Sequence, residues 1–117
     1  MKNFNSLKKK KEFDIVYNNK KFFSDDFYVM YIIDNKNFGM ERNRLGISVS
    51  RKVGNSVIRH KIIRRTREVF RKNENNINGQ YDIVLVCREK SKFANYENLN
   101  NSFIKLCNKH NILKEQL

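Results

Sequence analysis

The segment from Leu45 to Lys72 sets the tightest limit on the fold, because one hydrophobic period gives way to another within it. Leu45-Gly-Ile-Ser-Val-Ser50 alternates strictly, and Gly54-Asn55 then marks a turn into an amphipathic helical pattern rich in Arg. Period two predicts a strand with Leu45, Ile47 and Val49 toward a core and Gly46, Ser48 and Ser50 on the other face. Asn55 or Ser56 can cap the helix that follows. From Ile58 to Phe70, Ile58, Ile62, Ile63, Val69 and Phe70 occupy one arc at about 100° per residue. Lys61, Arg64, Arg67, Arg71 and Lys72 fall on the opposite arc, with His60 among them. Arg59 is the misfit: it projects near the apolar arc but lies in the first turn, where it can reach past the helix end.

This stretch also concentrates the charge. Arg51 to Lys72 contains nine Lys or Arg against the single Glu68, in a chain of 117 residues with a net charge of +13. Solvated helix faces normally mix Glu with Lys and gain i,i+4 pairing, whereas like charges at that spacing destabilise the helix. Arg59, Arg64, Arg65, Arg67 and Arg71 are all arginines, although Lys is the commoner cation elsewhere, and the planar guanidinium binds phosphate with two parallel hydrogen bonds. A polyanion with regularly spaced phosphates is the matching partner. Nucleic acid ranks ahead of an anionic membrane surface or an acidic protein.

The rest of the chain reads as a single domain over residues 1–117. A first helix is expected from Ser6, as N-cap, to Asn19, with Phe13, Val16 and Tyr17 on one face. Phe27 to Ile33 is an apolar run that fits a strand covered on both faces. The loop from Asp34 to Arg44, with Asn35, Asn37, Gly39 and Asn43, has the composition of a hairpin connection. Tyr81 to Cys87 reads as a buried strand, and Tyr96 to Asn108 as a helix with Leu99, Phe103, Leu106 and Cys107 on one stripe. The fold class is therefore α+β, a sandwich of three helices on a central mixed sheet of about four strands.

No constellation for protein catalysis can be assembled. His60 and His110 are far apart in sequence, neither has metal-ligand spacing with Cys87 or Cys107, and Asp25-Asp26 would point to opposite faces of a strand. Gly54 stands outside any phosphate-cradling glycine pattern. Two cysteines without a secretory apolar region indicate reduced, buried thiols of a cytoplasmic protein. No window is long and apolar enough to span a bilayer. The basic run Lys8 to Lys11 is interrupted by Glu12 and Asp14 and precedes no small-residue cleavage site, so it does not read as a targeting peptide. Phe13, Tyr17 and Tyr31 have two readings. They pack a core, with Tyr31 on the strand face of Phe27, Val29 and Ile33, or they form a stacking platform for unpaired bases flanked by Lys9 and Lys20.

The run from Leu45-Gly-Ile-Ser-Val-Ser-Arg-Lys-Val-Gly-Asn55 through Ser-Val-Ile-Arg-His-Lys-Ile-Ile-Arg-Arg-Thr-Arg-Glu-Val-Phe70 resembles the bacterial ribonuclease P protein family. Leu7-Lys-Lys-Lys-Lys-Glu-Phe13 and Tyr81-Asp-Ile-Val84 extend the resemblance over nearly the whole chain. It implies an endoribonuclease in which an RNA subunit, with Mg²⁺, removes the 5′ leader of precursor tRNA while the protein binds that RNA and the leader. Arg51, Lys52, Arg59, Lys61, Arg64 and Arg67 would face the RNA subunit. Phe13, Tyr17 and Tyr31 would line a cleft for the single-stranded leader, with no catalytic residue and no metal site on the protein. The family's β-α-β crossover is left-handed, against the usual rule. The chain departs from the family motif at His60, where Asn is usual, at Lys61, where Arg is usual, and at Ile63, where Lys is usual; Arg65 could supply the missing phosphate partner from another angle. A ribosomal or other structural RNA-binding protein is the alternative. A helix-in-groove DNA module fits less well, because the basic helix lacks Asn and Gln for reading adenine.

Overall fold

The computed structural model describes residues 5–115. Five strands form one mixed sheet: β1 (Asn5–Ser6), β2 (Phe22–Ser24), β3 (Tyr28–Asp34), β4 (Arg44–Ser48) and β5 (Tyr81–Cys87). Their spatial order is β1-β4-β5-β3-β2. The helices are α1 (Lys10–Asn18), α2 (Ser56–Asn73) and α3 (Tyr96–Lys109). β4 and β5 are parallel neighbours connected through α2, β1 runs parallel to β4, and β3 pairs antiparallel with both β5 and β2.

The sheet is covered on both faces, by different means. Tyr28, Met30, Ile32, Leu45, Ile83 and Leu85 point to one side and pack with Ile62, Val69 and Phe70 of α2 and Leu99, Phe103 and Leu106 of α3. Phe70 meets Phe103 edge-on, with centroids 6.3 Å apart. Burying each such side chain contributes about 1.5–3 kcal/mol. Polar atoms drawn into this core include the Tyr28 hydroxyl, 2.7 Å from Thr66 Oγ1, and His110 Nε2, 3.0 Å from the Met30 carbonyl. Cys87 and Cys107 are free and buried here, and burial pushes both thiols up to about 12. The other side carries a smaller cluster under α1, with Leu7, Val16 and Val84 at its centre and Phe13, Tyr17, Tyr31, Ile33 and Val86 around it.

Three expectations are corrected. Ser6 is not a helix cap; it lies in β1, and the Leu7 amide donates to the Leu45 carbonyl at 2.9 Å, so the chain is still extended there. α1 begins after Lys9, where the Glu12 carboxylate accepts from the Lys8 and Lys9 amides at 2.8 and 3.0 Å. The Asp34–Arg44 loop is not a hairpin, because β5 lies between the strands it joins. β5 carries Ile83 and Leu85 on one face and Val84 and Val86 on the other, so only a central position buries both sets. The loop is instead fastened to the start of β5: the Asn35 amide donates to the Gln80 carbonyl at 3.1 Å, and the Tyr81 amide to Asn43 Oδ1 at 2.7 Å. Phe27 does not share the face of Tyr31. It precedes β3, where Asp25 Oδ1 accepts from the Phe27 and Tyr28 amides at 3.0 and 3.1 Å, and its ring packs on the larger core. Two short strands, β1 and β2, flank the three located from sequence, so the sheet expected to have about four strands has five.

Candidate nucleic-acid interface

α2 starts as its sequence requires. Asn55 is the cap, its side chain accepting from the Ile58 amide at 3.0 Å. Gly54 lets the turn close, since a Cβ there would lie 2.8 Å from Ile58 Cγ2. Ile62, Thr66, Val69 and Phe70 then bury one side of the helix. Arg51, Lys52, Lys61, Arg64 and Arg67 are exposed on the turn and helix, and His60 is exposed beside them. Arg59 is half-buried, as its place near the apolar arc predicted, and its Nε is buried with no hydrogen-bond partner among the described residues.

The basic residues of this segment divide into two sets. Arg71 is paired with Glu68 at 2.6 Å, Lys72 lies 5.7 Å from the Tyr96 ring centre, and Arg65 donates to the Ala94 carbonyl at 2.7 Å. That last bond ties Arg65 to the protein, so it does not simply take over the role missing at Ile63, whose half-buried side chain lies in a small depression with Arg67, Leu7 and Leu45. Among the described residues, no carboxylate forms an ion pair with Arg51, Lys52, Arg59, Lys61, Arg64 or Arg67. These are the six positions expected to face RNA, and their charge is left for something outside the chain.

The second candidate surface lies across the sheet from α2. Phe13 and Tyr17 are one turn apart on α1 with centroids 6.4 Å apart, and Tyr17 meets Tyr31 of β3 edge-on at 4.9 Å. The structure brings all three expected rings together. Each is half-buried, packed on the Leu7–Val16–Val84 cluster yet open at its outer edge, so both sequence readings hold in part. Phe13 can press its ring against β4 only because position 46 is Gly: a Cβ there would sit 2.8 Å from Cε2 and Cζ of the ring. Burial raises the Tyr17 phenol above its ordinary range, against an opposing hydrogen bond with Ser48, so the ring stays neutral. Lys9 and Lys20 are exposed at the two ends of α1.

Two parts of this surface were not identified from sequence. Phe22 of β2 pairs in register with Tyr31, with ring centroids 5.0 Å apart, and is 51% exposed, adding a fourth ring to the row. Its signal was the double Phe before a turn, which carried no register. The other is a polar clamp at the start of α1. Arg44 grips both oxygens of buried Asp82, at 2.8 and 2.6 Å, and reaches Glu12 at 3.1 Å, while Asn35 donates to Asp82 at 2.8 Å. The Lys9 and Lys8 amides, followed by Arg44, hold the Glu12 carboxyl below its usual range. The far end of α1 is fixed by Asn19, which donates to the Ile32 carbonyl at 2.9 Å. The cleft between α1 and the sheet is therefore held at both ends of the helix.

The family model described as Ribonuclease P matches residues 1–111. The chain belongs to the ribonuclease P protein family. A ribonuclease P protein component from Lachnoclostridium phytofermentans is 44% identical over 108 residues, spanning 92% of this chain and 90% of the relative. The fold superposes on the ribonuclease P protein of Staphylococcus aureus with a TM-score of 0.84 at 29% identity, covering 96% of this chain and all of that one (100%). For the protein from Thermotoga maritima the TM-score is 0.75 at 28% identity, covering 86% and 93%. Ribonuclease P is an endoribonuclease that matures the 5′ end of tRNA, and this chain is its protein part, acting with an RNA subunit. Among the described residues, no helix is long and apolar enough to cross a membrane.

Proposed function

We propose that this ribonuclease P protein docks the RNA subunit through Arg51, Lys52, Arg59, Lys61, Arg64 and Arg67, and holds the single-stranded 5′ leader of precursor tRNA in the cleft of Phe13, Tyr17 and Tyr31. The observation that carries this reading is the division of charge in this segment: Arg65, Arg71 and Lys72 have partners within the chain, and among the described residues none of the six named here forms an ion pair with a carboxylate. Stacking on half-exposed rings tolerates any base, as a leader of variable sequence demands. Bond cleavage and its Mg²⁺ belong to the RNA subunit in this proposal. The protein lowers phosphate repulsion and positions the substrate.

The benefit of added cations is greatest when other cations are scarce. Cleavage of labelled precursor tRNA by a ribonuclease P RNA, measured over a Mg²⁺ series with and without the chain, should show the largest acceleration at the lowest Mg²⁺ that supports reaction. No acceleration at any Mg²⁺ concentration would refute the proposal.

A further inference from the structure

Phe93 is 81% exposed, and among the described residues no large apolar side chain is more so. Its backbone leaves it little choice. It closes a short 3₁₀ segment, Glu89–Phe93, in which the Ser91 amide donates to the Arg88 carbonyl at 2.9 Å and the Ala94 amide to the Ser91 carbonyl at 3.1 Å. Ser91, two residues before it, and Ala94, the next residue, are both buried. The segment is fixed from both ends. At its start the Arg88 amide donates to the Phe27 carbonyl at 2.8 Å, and after it Asn95 and Asn98 cap α3 reciprocally at 3.0 and 2.8 Å.

This segment lies within the basic face. Arg65 of α2 holds the Ala94 carbonyl at 2.7 Å, and Lys72 of α2 lies over the Tyr96 ring, so the chain from Ala94 to Tyr96 runs along the side of α2 where Lys61 is one turn from Arg65. At the other end, Lys90 and Lys52 line the same open pocket of about 400 Å³. Phe93 thus belongs to a segment that borders Lys52 at Lys90 and Arg65 of α2 at Ala94, and Lys92 Nζ lies 5.2 Å from its ring centre. An exposed ring among lysines is a poor centre for a protein interface, where Lys is depleted. It is well suited to an unpaired nucleobase whose flanking phosphates meet those lysines.

We propose that Phe93 is a stacking contact for an unpaired base of the RNA subunit, so that the docking face continues from α2 onto the 89–93 segment. The inference rests on the RNA-docking reading above. The chain has no Trp, so F93W introduces a single fluorophore at the proposed contact. Titrating ribonuclease P RNA into full-length F93W should quench its emission while affinity stays at least that of the wild type. F93A and F93L should bind about 5- to 150-fold more weakly, the range for removing one base stack. Their slope of log affinity against log salt should stay unchanged, since no charge is removed. Tm should not move, because the ring supports no core. Unchanged affinity of F93A, an unquenched F93W, affinity restored by Leu, or a Tm loss that accounts for the weakening would each overturn the contact while leaving the docking of α2 intact. Failure of the wild-type chain to bind the RNA would remove the docking reading, and this inference with it.

Discussion

The helices α1 and α2 treat their charge in opposite ways. On α1, Lys10 pairs with Asp14 at 2.9 Å, and Glu12 accepts two backbone amides and also meets Arg44. On α2 and the turn before it, six cations form no ion pair with a carboxylate among the described residues, and Glu68 of α2 is taken by Arg71. Both helices open on or near runs of basic residues, but the run at the start of α1 is all Lys and is followed at once by Glu12 and Asp14. The difference lies in what each charge does: on α1 it fastens a helix to the sheet, and on α2 it is held ready for an external anion. Counting positive residues therefore overstates the first surface as a binding face and understates the second.

The largest effect expected from testing this contrast is at the clamp. Arg44→Met leaves Asp82 buried without its cation, and removing one partner of a buried pair costs about 3–5 kcal/mol. Thermal or urea unfolding should show that loss, together with weaker binding of precursor tRNA as α1 loses its anchor. The same clamp has a pH signature. The Glu12 carboxyl is held below its ordinary value, so its contribution is complete above that value, about 4.3. It is lost as pH falls through the lower folded value. Unfolding measured from pH 6 downward should show stability falling only in that acid range, and the fall should shrink in Glu12→Gln.

Next in size is the unpaired set on α2. Arg64→Ala with Arg67→Ala should weaken binding of the RNA subunit, each charged hydrogen bond removed being worth about 1.5–3 kcal/mol. The slope of log affinity against log salt should flatten by about 0.7 to 0.9 for each phosphate that is no longer neutralised. An unchanged slope would mean that these cations are solvated and not docked. Tyr17→Ala should cost about 1–3 kcal/mol in binding precursor tRNA and much less in binding mature tRNA; equal losses would make the ring a core residue only. The smallest effect belongs to Lys10→Ala, about 0.3–0.5 kcal/mol of stability. A change in the salt slope for this variant would break the contrast between the helices.

What could be read from sequence was whatever a local pattern controls. The Asn55 cap, the buried stripe of α2, the limits of β5 and the helix after Asn95 each depend on residues within a turn or two, and the structure places them as the periodicity requires. Lys61, Arg64 and Arg67 were legible for the same reason, since a helix wheel places them opposite the apolar arc, whereas Arg51, Lys52 and Arg59 joined them only through the family resemblance. The hairpin reading of the Asp34–Arg44 loop failed because strand order is decided by which strand is apolar on both faces, and β5 lies a whole helix further along the chain. The clamp was hidden because Glu12, Asn35, Arg44 and Asp82 come from four distant segments, none of which signals the others. Phe22 was missed for want of register: two adjacent Phe residues on a strand face opposite ways, and only the pairing with β3 shows that Phe22 joins Tyr31 while Phe23 turns to the other side and meets His110.

The central position of β5 has a consequence for how the protein is made. β3 and β4 leave the ribosome well before β5, yet they do not touch each other, and both must wait for residues 81–87 to join them. Until then the nascent chain holds two strands with open inner edges and an Arg-rich helix with no sheet beneath it, the kind of long-range topology that closes slowly. The floor of the aromatic cleft and the platform for α2 are therefore completed together, by one late strand, so a half-made chain should carry neither surface in working form.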